Sequence, residues 1–265
     1  MHFKLGIVGA GAMAKALIGQ MLEKNALNAS DITIFDIDVK KSHSIHNKVY
    51  VSNSIKELIG NSKMIMFAVK PQHYKEITDA NVFSDDKIVI SIMAGVKIDV
   101  LRKNLASNCG ILRVMPNMPC SVGKGISALC FDKINQQDKE FLTGLFSSCG
   151  DIIEIDESKF DAVTSISGSG PAYVYMFIQG MIKGGMQGGL TYDESKALAV
   201  ATLDGATELA KISHEPLDTL VDSVCSKGGT TIEAVSIYKE KGLIDIIAKG
   251  IDACRNKSKI LSEKL

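Results

Sequence analysis

The fold class predicted for this chain is an α/β domain with a largely parallel sheet, followed by an all-α region, and three observations predict it. Short β-rich apolar runs alternate with segments of helical spacing through about residue 155. Beyond Ser158 the strand signals stop and only helical periods continue. The chain has 265 residues, 46% hydrophobic and 23% charged, enough at about 150 residues per domain for one large domain or two ordinary ones. The change of period sets the expected division at 1–157 for the sheet domain and 158–265 for the helical one.

Taken in order, the candidate strands are Leu5 to Val8, Ile32 to Phe35, Met64 to Val69, Ile88 to Met93, Ile111 to Met115, Ile126 to Phe131 and Ile152 to Ile155. Between them, Met13 to Asn25 and Ile98 to Ala106 carry apolar residues at helical spacing. The helices expected afterwards are Lys159 to Ser167, Pro171 to Gly189, Asp193 to Ile212, Pro216 to Val224, Ile232 to Lys241 and Leu243 to Ser262. Thr191 with Glu194, and Thr230 with Glu233, have the spacing of a capping box. Gly180, Gly184, Gly185, Gly188 and Gly189 share one helical run, where each costs about 1 kcal/mol relative to Ala. Close approach of a second helix, or a frayed last turn at Gly188 and Gly189, would account for them.

Composition removes several function classes. Thirty basic residues offset thirty acidic ones, which leaves no surplus for a nucleic-acid backbone or an anionic membrane. Apolar stretches are broken before the roughly 18 residues a membrane span needs, and the N-terminus shows no leader pattern. A soluble, cytoplasmic protein is expected. Six cysteines are scattered without a C-x-x-C pair, so they read as reduced thiols, and no metal site is expected. Neither a G-x-S-x-G elbow nor a G-x-x-x-x-G-K-[ST] loop occurs.

The segment Lys4 to Leu17 runs from an apolar strand through a glycine turn into helix formers and fits G-x-G-x-x-A as Gly9, Gly11 and Ala14. Gly9 permits the tight turn, Gly11 admits a pyrophosphate to the backbone, and Ala14 lets the helix pack on the strand. The helix N-terminus then offers free N–H groups to the anion. Asp36 closes the next strand, with Asp38 two residues on. An acid there accepts from ribose hydroxyls and repels a 2′-phosphate, a lean toward NADH. Lys40 and Lys41 follow closely enough to pair with a 2′-phosphate, so both cofactors stay open.

Six motifs then stand in order along nearly the whole chain: I-V-G-A-G-A-M-A, A-V-K-P at Ala68 to Pro71, M-A-G-V at Met93 to Val96, R-V-M-P-N-M-P at Arg113 to Pro119, S-G-S-G-P-A-Y at Ser167 to Tyr173 and G-G-T-T-I-E-A-V at Gly228 to Val235. Together they resemble the pyrroline-5-carboxylate reductase family. The resemblance implies NADPH- or NADH-dependent reduction of 1-pyrroline-5-carboxylate to L-proline, the last step of proline biosynthesis. It also implies an N-terminal Rossmann domain and a helical dimerisation domain that makes a homodimer or a ring of dimers. By position, Gly9, Ala10, Gly11, Ala12, Met13 and Ala14 would hold the pyrophosphate, with Asp36 at the ribose. Ala68, Val69, Lys70 and Pro71 would line the ribose and nicotinamide side, together with Met93, Ala94 and Gly95. Asn117 is a further cofactor candidate. Ser226, Gly228, Gly229, Thr230 and Thr231 match the loop that binds the pyrroline carboxylate, and Thr231 is the residue placed at the imine nitrogen.

The residues reach the same loop without the resemblance. Two glycines before a capped helix expose N–H donors at a helix N-terminus, a natural carboxylate site; the alternative is that Thr230 caps the helix and the glycines shape a turn. Three departures stand out. Lys227 occupies a position where the family commonly has Pro, the Pro216 region carries one residue more than usual, and Asp36 and Asp38 occupy a stretch where many relatives have small polar residues or Asn-Arg. Two competing readings are a hydroxyacid dehydrogenase using Lys183 and a non-catalytic NAD(H) sensor.

Overall fold

The computed structural model describes residues 2–45, 49–79 and 83–263. The order of its elements is β1 (Phe3–Val8), α1 (Ala12–Glu23), β2 (Ile32–Phe35), α2 (Val39–His43), β3 (Tyr50–Val51), α3 (Ile55–Asn61), β4 (Ser62–Phe67), α4 (Tyr74–Thr78), β5 (Ile88–Ser91) and α5 (Ile98–Arg102). Then come β6 (Gly110–Met115), β7 (Gly125–Asp132), α6 (Gln136–Ser147), β8 (Gly150–Glu154), α7 (Phe160–Val163), α8 (Gly170–Gln187), α9 (Tyr192–Ile212), α10 (Leu217–Ser223), α11 (Thr230–Glu240) and α12 (Leu243–Glu263).

The strands form one sheet in the order β3-β2-β1-β4-β5-β6-β7-β8. Every pair is parallel except β6 with β7, which is antiparallel. Central strands of such a sheet are buried on both faces, and the side chains here divide between them with period two. Leu5, Ile7, Met64, Met66, Ile88, Ile90, Leu112 and Val114 enter one core with Leu17, Ile18 and Met21 of α1. Val8, Ile65, Phe67, Val89 and Ile111 enter the other with Leu58 and Ile59 of α3. Each fully buried side chain of this size contributes about 1.5–3 kcal/mol. Predominantly apolar runs are therefore what the sequence needed at these strands.

Strand positions follow the sequence expectation to within two residues, with instructive differences. β3 was not expected, because two residues carry no readable period. β4 stops at Phe67 and β5 at Ser91, so Ala68–Lys70 and Ile92–Gly95 are turns beyond the strand ends. The helix expected over Lys159 to Ser167 breaks after Val163 into a π-helical turn at Thr164–Gly168. There the hydroxyls of Thr164, Ser165 and Ser167 donate to the carbonyls of Phe160, Ala162 and Val163, the back-bonding that loosens a helix.

The chain packs as two units, Met1–Pro171 with Cys254–Leu265, and Ala172–Ala253. Period alone placed the division at 157/158, where the strands have ended. The first unit runs further because Phe160 is 2% exposed beneath the Arg113 guanidinium, 4.5 Å from its ring centroid. It also takes back the end of α12, where Ser258 and Ser262 are buried against Asp161.

Within the second unit the glycine-bearing helix shows the expected close approach of a second helix, and an ordered cap in place of the expected frayed last turn. A Cβ on Gly185 would lie 2.6 Å from Ser195 Oγ of α9, so α8 and α9 approach closely at this point. Gly189 has φ +94°, with Leu190 N–H donating to Gly185 O and Gly189 N–H to Met186 O, a Schellman end. The capping box of Thr191 and Glu194 forms. That of Thr230 and Glu233 does not: Gly229 is the N-cap and Thr230 the first helical residue, because the Gly229 N–H is already turned back onto Ser226 O at 2.9 Å.

Candidate functional site

β1 delivers the chain into the glycine turn at the carboxyl edge of the sheet, where open α/β sheets bind ligands. Gly9 has φ +102°, and a Cβ there would stand 2.6 Å from Ala68 O. Only glycine lets the turn of β1 lie against the end of β4. Ala68 N–H to Val8 O joins the end of β4 to β1, and Gly9 N–H to Phe35 O joins the turn to β2, each at 2.8 Å. Gly11, the N-cap of α1, is exposed, and nothing lies within 4 Å of where its Cβ would be. The main chain there is open to a ligand, and the first turn of α1 carries no acid to oppose an anion.

A cleft of about 330 Å³ opens beside this turn. Gly9, Gly11, Asp36, Ala68, Val69 and Lys70, all cofactor candidates from their motifs, line it together with Ile37, Lys41, Ile55, His73, Glu76 and Ile77, of which only Lys41 is a candidate from sequence. Ile37, Ile55 and Ile77 make an apolar wall suited to a planar ring. His73 is hydrogen bonded to Glu76 at 2.9 Å, an i,i+3 pairing that gives no pattern of its own in the sequence. Asp36 accepts the Ala10 N–H at 2.7 Å and the Asp38 N–H at 2.8 Å. Asp38 in turn accepts from Lys40 N–H at 3.2 Å and pairs with Lys41 at 3.7 Å.

Other expected residues stand differently. Ala14 is 1% exposed and packs α1 on the sheet. Ala12 is exposed on the first turn of α1, Met13 lies partly buried against the core, and Pro71 opens a short 3₁₀ turn. Met93 is 2% exposed and belongs to the core on the α3 face, so its main chain is what it can offer to a ligand, beside exposed Ala94 and buried Gly95. Asn117 does not line the cleft. Its amide donates to Ser167 O at 3.1 Å and accepts the Ile126 N–H at 3.0 Å, which ties the start of β7 to the π-helical turn.

In the second unit, Ser226 to Thr231 form the loop into α11. Gly228 has φ +73°, and a Cβ on Gly229 would meet Ser226 Oγ at 2.3 Å. The N-terminus of α11 takes no side-chain cap. The N–H groups of its first turn, with the exposed hydroxyls of Thr230 and Thr231, form a donor set for a small carboxylate. Lys227, also exposed, adds positive charge to the loop.

The sheet order, the glycine cradle and the acid at the end of β2 define the protein as a dinucleotide-binding protein of the Rossmann class. Residues 157–261 match the family model for pyrroline-5-carboxylate reductase dimerisation. Residues 4–95 match that for the coenzyme F420-dependent NADP oxidoreductases. The chain is similar to the pyrroline-5-carboxylate reductases of Synechocystis sp., 32% identical with 100% of both chains covered, and of Aquifex aeolicus, 33% identical with 98% of both covered. It is also similar to the crystal structure of a Plasmodium falciparum pyrroline carboxylate reductase with NADP bound, at TM-score 0.91 and 32% identity over 98% of each chain. The chain belongs to the pyrroline-5-carboxylate reductase family.

Proposed function

We propose that the chain reduces 1-pyrroline-5-carboxylate to L-proline with NADPH or NADH. The observation that carries this reading is the full-length likeness to reductases of that substrate, supported by two main-chain anion sites, the glycine turn and the loop into α11. The bound dinucleotide supplies a hydride to the imine carbon. The chain's own part is to place and hold. Amides around Gly11 to Ala14 receive the pyrophosphate, while Asp36, Ala68, Val69, Lys70, Pro71 and the main chain of Met93 to Gly95 support the ribose and nicotinamide side. Ser226, Gly228, Gly229 and Thr230 receive the substrate carboxylate. Thr231 holds the imine nitrogen through its hydroxyl and handles its proton. Positioning the reacting carbons at about 3–3.5 Å is the larger task.

The helical region 158–265 is assigned to substrate binding and self-association, as a homodimer or a ring of dimers. Exposed apolar side chains such as Tyr175 at 57%, Met176 at 69% and Leu209 at 62% support it. Among the described residues no helix is long and apolar enough to cross a membrane. The six cysteines are free thiols, which supports the assignment to the reducing cytoplasm.

A steady-state assay with both reduced cofactors in parallel tests the reading. Oxidation of NADPH or NADH is expected to require 1-pyrroline-5-carboxylate. Turnover of 3-hydroxyacids without it would move catalysis to Lys183 of α8, and dinucleotide binding without any turnover would make the protein a sensor.

A further inference from the structure

We infer that the last turn of α12, from Ser258 to Ser262, is a positioning element of the dinucleotide site that backs the Met93–Gly95 turn and sets its affinity for the nicotinamide half. This rests on the function proposed above. The turn follows β5, whose neighbour β4 ends at the cleft-lining Ala68, Val69 and Lys70. It therefore lies at the edge of the sheet where ligands bind.

Gly95 has φ +81°, and a Cβ there would lie 3.4 Å from Ser262 Oγ and 3.5 Å from Ser262 N. A side chain at this point of the turn would thus be in van der Waals contact with the main chain of the terminal helix. Ser258 and Ser262 are 7% and 4% exposed, although Lys257, Lys259, Ile260 and Leu261 between and beside them face outward. Both hydroxyls converge on one carboxylate oxygen. Ser258 Oγ donates to Asp161 Oδ1 at 2.6 Å, and Ser262 Oγ lies 3.4 Å from the same atom and 3.0 Å from Ser258 O. Three residues beyond Gly95 the chain is held by Glu157, whose Oε1 accepts the Ile98 N–H at 2.7 Å and pairs with Arg113 at 2.7 Å.

Two carboxylates on the segment after β8 thus hold the C-terminal side of the turn, Asp161 through the terminal serines at Gly95 and Glu157 at Ile98 just beyond it. Nothing in the dinucleotide motif itself supplies this support. A hydrogen bond to a charged acceptor is strong enough that its loss changes a coupled affinity by about tenfold.

The test compares Asp161→Ala, the double variant Ser258→Ala with Ser262→Ala, and Asp161→Asn, which keeps an acceptor. The readouts are NADH affinity by fluorescence titration and the separate KM values for NADH and 1-pyrroline-5-carboxylate. The first two variants are expected to bind NADH about tenfold more weakly with the substrate KM at saturating NADH unchanged, and Asp161→Asn to stay near the unsubstituted protein. Unchanged NADH affinity, or an equal loss for cofactor and substrate, would overturn the inference. If the double variant does not fold, Ser262→Ala alone is expected to give about a threefold loss, and no shift would count against the idea equally. Absence of turnover in the unsubstituted chain would instead remove the proposed function, and NADH titration would still decide the role of the turn.

Discussion

The Asp36 carboxylate accepts the main-chain N–H of Ala10 at 2.7 Å, so the end of β2 is bonded to the glycine turn of β1. The acid expected at a ribose is also a staple of the pyrophosphate loop. Asp36→Ala should therefore weaken NADH by about tenfold, and NADPH by less, because it also removes the charge that repels a 2′-phosphate. Asp36→Asn, which keeps an acceptor and sheds the charge that repels a 2′-phosphate, should raise the ratio of kcat/KM for NADPH over NADH. An unchanged ratio would show that Asp36 serves the loop alone.

The two loop glycines should separate stability from binding. Gly9→Ala forces a side chain to φ +102° and against Ala68 O, a cost of roughly 1–3 kcal/mol that a lower melting temperature would report. Gly11→Ala sits at φ −72° in open space. It should melt with the unsubstituted protein and yet bind NADH at least about tenfold more weakly, because its methyl stands where a phosphate approaches.

Thr231→Ala should lower kcat by about a hundredfold and leave NADH affinity as it was, and Thr231→Ser should recover most of the loss. A matching fall in NADH affinity would take the loop into α11 out of the substrate site.

Gly185→Val should destabilise the helical unit by roughly 1–3 kcal/mol through overpacking, since its Cβ would lie 2.6 Å from Ser195 Oγ. Circular dichroism melting at fixed concentration reads this directly. Melting unchanged from the unsubstituted protein would mean that α8 and α9 part at little cost.

Burial pushes the Cys109 thiol up from its ordinary 9.0 to about 11 and the Cys120 thiol to about 12. The folded chain holds these protons more tightly than the unfolded chain does. The stability they contribute is complete below pH 9.0 and is lost as pH rises toward about 11 and 12. Denaturant midpoints should fall across that window, and fall less in a Cys109→Ala, Cys120→Ala variant. At pH 8 iodoacetamide should leave both thiols unlabelled until urea is added.

Much of the fold was legible because buried parallel strands demand runs such as Met64 to Phe67, and because a glycine turn between strand and helix has few other uses. Less of the cleft was. Ile37, Ile55 and the His73–Ile77 segment come from three separate stretches of chain, and the sheet order alone brings them to one wall. Asn117 is a cofactor candidate from its motif, and only the fold shows its amide bonded to Ser167 and Ile126. Thr230 with Glu233 had the letters of a capping box, but the turn from Ser226 to Gly229 reached the helix end first.

The sequence by itself determined the period of each element, the place of the glycine cradle and the family, because local backbone chemistry and motif order are written in neighbouring residues. Tertiary structure alone decided that Asp36 reaches Ala10, that Gly9 presses on Ala68, and that Ser262 comes to rest beneath Gly95. Those contacts join residues 26, 59 and 167 positions apart. No local pattern encodes them, and they exist only once burial of both sheet faces has fixed which strand lies beside which.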